Sequence, residues 1–120
     1  METIYKYPFS LENIEEIIEA PQGANFLYAD YDCNNIPCLW ADVITTEPLQ
    51  PYKVFSVPTG ADFANIFPQG YQIQKMGIIK DPPYIWHIFI GIEQMVTFDV
   101  NLDDLNEGTE IPIKPENDPD

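Results

Sequence analysis

The stretch NFLYADYDCNNIPCLWADVIT, residues 25–45, decides the fold. Two runs rich in aromatic and β-branched residues, Asn25 to Asp32 and Ile36 to Thr45, flank Cys33-Asn34-Asn35. Asn tolerates the positive φ that a tight hairpin demands, so the segment reads as two antiparallel strands. Its register is open at this point. A four-residue loop sets Cys33 opposite Cys38, whereas a two-residue Asn34-Asn35 turn sets Cys38 opposite Tyr31.

Working outward, Tyr71 to Ile79 and Tyr84 to Ile90 flank Asp81-Pro82-Pro83 and predict a second hairpin. Tyr52 to Val57, bounded by Pro51 and Pro58, predicts another strand. Ile4, Tyr5 and Tyr7 form a short run closed by Pro8, and Gln94 to Val100 would add a last strand. Asn13 to Ala20 is ambiguous: Ile14, Ile17 and Ile18 have helical spacing, but the segment is short, Ile-rich and stopped by Pro21, which favours an edge strand. Twelve prolines cut the chain into strand-length pieces. The best helix candidate is Asp62 to Phe67, with Asp62 or Thr59 as cap. The expected fold is therefore mainly β: a single antiparallel β-sandwich or open-barrel domain with at most one short helix, over residues 1–98, plus an acidic C-terminal tail, 99–120.

Charge constrains function. The chain has 20 Asp and Glu, five Lys and no Arg, a net charge of −15. Residues 1–98 hold 12 acids and four lysines; residues 99–120 hold eight acids and Lys114. Direct binding to nucleic acid or an anionic membrane is disfavoured, because both depend on Lys and Arg meeting phosphates. A charged macromolecular partner should be basic. Met1 to Tyr7 has neither a basic start nor an apolar run, so no secretory signal is read there, and no stretch approaches the ~18 apolar residues of a membrane helix.

The succession Ile4-Tyr5-Lys6-Tyr7-Pro8, Pro21-Gln22-Gly23-Ala24, Pro37-Cys38-Leu39-Trp40-Ala41, Thr59-Gly60 and Trp86-His87-Ile88-Phe89 resembles a small domain family encoded mainly in phages and prophages. The resemblance covers roughly residues 3–91 and carries no catalytic residues with it. It implies a phage accessory protein in the cytoplasm of a bacterial host. Members tend to end soon after the Trp-His strand, so the acidic extension is the part particular to this chain.

Candidate chemistry is sparse. His87 is the only histidine; Ile85, His87 and Phe89 share one face of their strand and Tyr84, Trp86, Ile88 and Ile90 the other, which favours a packed histidine with one hydrogen bond. No nucleophile and orienting acid accompany it in a local pattern. Cys33, Cys38 and His87 fall short of a structural zinc set. Asp99 to Asp104 lacks the glycine and distal Glu of a calcium loop. No cofactor or metal is expected, and no enzymatic activity.

Three readings remain. The favoured one is a non-enzymatic inhibitor of a host defence or nucleic-acid-handling protein, such as a CRISPR effector, restriction enzyme or polymerase, whose basic surface it covers by nucleic-acid mimicry. Its expected contact set is Glu12, Glu15, Glu16 and Glu19 with Asp99, Asp103, Asp104, Glu107 and Glu110. An extended tail gives one charge every ~9 Å against ~3.4 Å along one DNA strand, so body acids including Asp30, Asp32 and Asp42 must join it. The Glu12–Glu19 set lines up if helical and divides between two faces if a strand. The alternatives are a sponge for a nucleotide immune signal, with Tyr28, Tyr31, Trp40, Tyr71 or Trp86 as walls and backbone amides of the Pro58-to-Gly70 loop as donors, and a structural or adaptor component of the virion. The exposed edges of such a domain would also serve a homodimer.

Overall fold

The computed structural model describes residues 1–94. They form seven strands: β1 (Glu2–Pro8), β2 (Glu15–Pro21), β3 (Asn25–Tyr31), β4 (Pro37–Ile44), β5 (Leu49–Pro58), β6 (Tyr71–Asp81) and β7 (Tyr84–Glu93). Two antiparallel sheets, ordered β1-β4-β3 and β2-β5-β7-β6, pack face to face without closing into a barrel. Both predicted hairpins form, and Glu15–Pro21 is an edge strand. Gln94 follows β7 outside any strand, and 95–100 lie outside the described residues.

The sandwich is filled by alternation. Leu39, Ala41 and Val43 of β4 and Phe26 and Ala29 of β3 point inward from one sheet; Ile18, Tyr52, Val54, Ile79, Ile88 and Ile90 meet them from the other. Burial of each large side chain contributes ~1.5–3 kcal/mol. Tyr52 joins the layers, its ring edge-on to Phe26 at 5.0 Å and its hydroxyl donating to the Pro21 carbonyl at 2.9 Å. At one side of the sandwich β3 lies along β6, where the Tyr31 hydroxyl donates to the Lys80 carbonyl at 2.7 Å.

Three local outcomes differ from the sequence expectations. The β3–β4 loop has neither four nor two residues. Asp32 N–H donates to the Ile36 carbonyl, Asn35 takes φ 61°, and Cys38 stands opposite Asp30, leaving a three-residue loop, Cys33 to Asn35. β5 begins at Leu49 and runs through Pro51, which stands opposite Glu19 of β2 before the pairing with β7 starts at Lys53, so the missing N–H removes no ladder bond. Asp62 to Phe67 is a turn: the Ala64 N–H donates to Asp62 Oδ1, Ile66 N–H donates to the Phe63 carbonyl, and Pro68 stops any continuation. Among the described residues there is no helix.

Tyr52→Phe removes one of the two donors to the Pro21 carbonyl, the Ala24 N–H being the other, while keeping the ring. We expect a loss of about 1–2 kcal/mol in unfolding free energy, read as a lower urea midpoint at unchanged slope.

Candidate functional site

The two outer faces of the sandwich differ in kind. Over the four-stranded sheet, residues 59–70 fold back and set Phe63 and Phe67 against Phe55 and Phe89, with centroid separations of 5.0–6.1 Å. No other described residue folds over the outer face of β1-β4-β3. Because Leu39, Ala41 and Val43 point into the core, Cys38, Trp40, Asp42 and Ile44 point out. Register then fixes their neighbours: Lys6, Ile4 and Glu2 from β1, Asp30, Tyr28 and Asn25 from β3. The centre of this face is apolar, with Tyr28 packed on Trp40 at 6.2 Å and Ile4 58 % exposed.

Its rim is acidic, and the acids are of two kinds. Asp32 is consumed by structure: Oδ2 accepts from Lys6 Nζ at 2.7 Å, and Oδ1 accepts from the Asn34 and Ile36 N–H groups at 2.8 and 3.0 Å. These bonds hold its carboxyl down at about 2, the ammonium contributing most. Lys6 is correspondingly raised by the same contact and is committed to it. Glu2 and Asp42 are diagonal neighbours on this face; the hydrogen bond that a protonated Glu2 donates to Asp42, and the Asp42 charge, push the Glu2 carboxyl above its usual range, against a smaller downward pull from the N-terminal ammonium. Asp30 Oδ1 accepts only its neighbour's N–H, from Tyr31, at 2.8 Å. The face thus offers three carboxylates, Glu2, Asp30 and Asp42, beside one ammonium already paired with Asp32.

Asp30, Asp32 and Asp42, named from sequence as body acids that must join the contact set, lie on or beside this face, whereas the described members of that set sit elsewhere. Glu12 is exposed in the β1–β2 loop. In β2, Glu15 and Glu19 point outward, whereas Glu16 points toward the core side, so the set divides between faces. Glu15 is paired with Lys53 at 2.9 Å, and Glu16 accepts the Ser10 N–H at 2.9 Å. Asp99, Asp103, Asp104, Glu107 and Glu110 lie outside the described residues. The structure adds Glu2 to Asp30 and Asp42, three acids dispersed in sequence. The alternation of β4 was the one signal that could have grouped Asp42 with Trp40. Glu2 was not singled out at all.

The remaining candidates are placed as follows. Cys33 is exposed and Cys38 buried, both free; burial and the Asp32 charge push the Cys38 thiol up, away from the reactive thiolate. His87 faces outward with Ile85 and Phe89, and its Nε2 lies 2.7 Å from Thr59 Oγ1. Among the described residues no three His, Cys, Asp or Glu side chains cluster as metal ligands, and no helix is long and apolar enough to cross a membrane.

The described residues define a small antiparallel β-sandwich domain in which the outer face of one sheet is exposed. The chain belongs to the family described as a domain of unknown function, DUF7352, whose model matches residues 1–98. No curated protein and no solved structure matches it.

Two titrations test this electrostatic account. The depressed Asp32 carboxyl stabilises the fold above its ordinary value of 3.8, a contribution lost as pH falls through about 2. The fall in urea midpoint between pH 5 and pH 2 should therefore be smaller in Asp32→Asn than in the wild type. The raised Glu2 carboxyl has the opposite sign, since its ionisation disfavours the folded state. Asp42→Asn should lower the Glu2 pKa, measured by carboxyl NMR, and add stability at neutral pH.

Proposed function

We propose that the protein is a non-enzymatic acidic binding protein that covers a basic surface of a nucleic-acid-handling protein in a bacterial host, and so inhibits it. The observation that carries this reading is the open face of β1-β4-β3. There Glu2 and Asp42 repel each other beside an exposed apolar centre of Ile4, Tyr28 and Ile44. A partner Lys or Arg between the two carboxylates converts that repulsion into two charge-assisted hydrogen bonds. Trp40 and Tyr28 supply the flat aromatic area on which an Arg side chain stacks. The resemblance to phage-encoded domains is the ground for placing the partner in a bacterium. The tail acids add long-range attraction, which raises association rate more than it fixes the pose.

The test compares three proteins as bait in host lysate at low and high salt: the full chain, Asp30→Lys/Asp42→Lys, and a control, Glu12→Lys/Glu19→Lys, with the same charge change on other surfaces. A basic nucleic-acid-handling protein should be retained at low salt, released by high salt or added DNA, and lost only with the first variant. Truncation after Val100 should slow association while leaving the complex salt-sensitive. Capture that ignores salt, or that fails equally with both variants, overturns the proposal.

A further inference from the structure

A second site lies on the opposite side of the molecule. On the outer face of the four-stranded sheet, Val57 of β5 stands opposite His87 of β7, and Lys75 of β6 stands opposite Phe89. The chain leaves β5 at Pro58 and turns at Thr59-Gly60-Ala61, so that Phe63 comes back over Phe89. Between this turn, the sheet and Lys75 is a groove of about 270 Å³. A β-bulge between Lys75 and Gly77 shifts the register of β6 at its rim, the kind of irregularity that re-aims a side chain.

Its lining contains no carboxylate, although residues 1–94 carry 12 acids. The carboxylate nearest in sequence, Asp62, accepts the Ala64 N–H at 3.1 Å within its own turn. Lys75 has no ion-pair partner among the described residues, unlike Lys6 and Lys53. The other polar groups are Thr59 and His87. One arrangement satisfies both contacts of the Thr59 hydroxyl: it donates to the Ile85 carbonyl at 3.3 Å and accepts from His87 Nε2–H at 2.7 Å. That leaves Nδ1 as the imidazole's remaining polar atom. Phe63 and Phe89 are near-parallel, with centroids 6.1 Å apart. A ring inserted between them would need ~7 Å, two van der Waals contacts, so a ligand ring lies along the aromatic wall.

We propose that this groove binds a small planar aromatic monocarboxylate, its ring against Phe63 and Phe89 and its carboxylate on Lys75. The volume lies just below the ~300–1,000 Å³ of pockets for drug-sized molecules, which suits one or two fused rings. Charge selects the anion. One ammonium neutralises one carboxylate, whereas a phosphate monoester carries about −1.5 to −2 and stays in excess inside a strongly acidic molecule.

The test is an amide NMR titration of the full chain with 2-naphthoate, 2-naphthalenemethanol and 2-naphthyl phosphate. Naphthoate should shift Thr59, Gly60, Ala61 and His87 saturably and bind about tenfold more tightly than the neutral alcohol, as expected of a charge-assisted contact. Lys75→Gln, at an exposed position, should leave the remaining spectrum unchanged and abolish the difference between acid and alcohol. Equal binding of acid and alcohol by the wild type, an undiminished difference in Lys75→Gln, tighter binding of the phosphate, or no saturable shift at these amides would each overturn the assignment. None of these outcomes depends on the acidic face, which lies on the other sheet.

Discussion

The carboxylate of Asp32 fixes the relation between sequence and sandwich. It receives two N–H groups of its own loop and one ammonium from β1, so a single side chain determines loop length, ties β1 to the hairpin and sets the β3–β4 register. A slip of one residue would move Leu39, Ala41 and Val43 to the solvent side and bring Trp40 and Asp42 into the core. The composition of the open face follows from that register. The structural acid and the exposed acids beside it are therefore different in kind, although composition counts them alike.

Polarity is distributed by the same logic. Lys6 and Lys53 are held by Asp32 and Glu15, which stitch strands within their sheets. Among the described residues, the rim of the open face keeps carboxylates without a cation and the groove on the far side keeps a lysine without an acid. A strongly acidic chain thus presents two surfaces of different chemistry, separated by the apolar layer.

Much of the fold was legible because aromatic and β-branched runs end at prolines and asparagines. Both hairpins follow from alternation and punctuation alone; the same signals favoured a strand over helical spacing at Asn13 to Ala20 and split β7 into two faces, both too apolar to show which points inward. The three-residue loop was less legible, because its length depends on where the Asp32 carboxylate finds donors. Pro51 misled for a related reason: a proline breaks a strand only where its N–H is needed. The sites were hardest to read. Glu2 and Asp42 meet across a strand pair 40 positions apart, and Thr59, Lys75 and His87 come together only because β7 inserts between β5 and β6. No local motif encodes either arrangement. A dense run such as Glu12 to Glu19 draws attention in sequence and then disperses across two faces of a strand.

The contact of β3 along β6 has a consequence for association between copies. It occupies one lateral edge of each sheet, so that among the described residues the backbone ladders of β1 and β2 are the ones left to strand addition. β2 carries outward glutamates and ends at Pro21, and β1 ends at Pro8. A second chain adding there would meet like charge and lose ladder bonds at the prolines. Negative charge and the two prolines thus oppose the growth of this β-structure into a larger sheet at those edges.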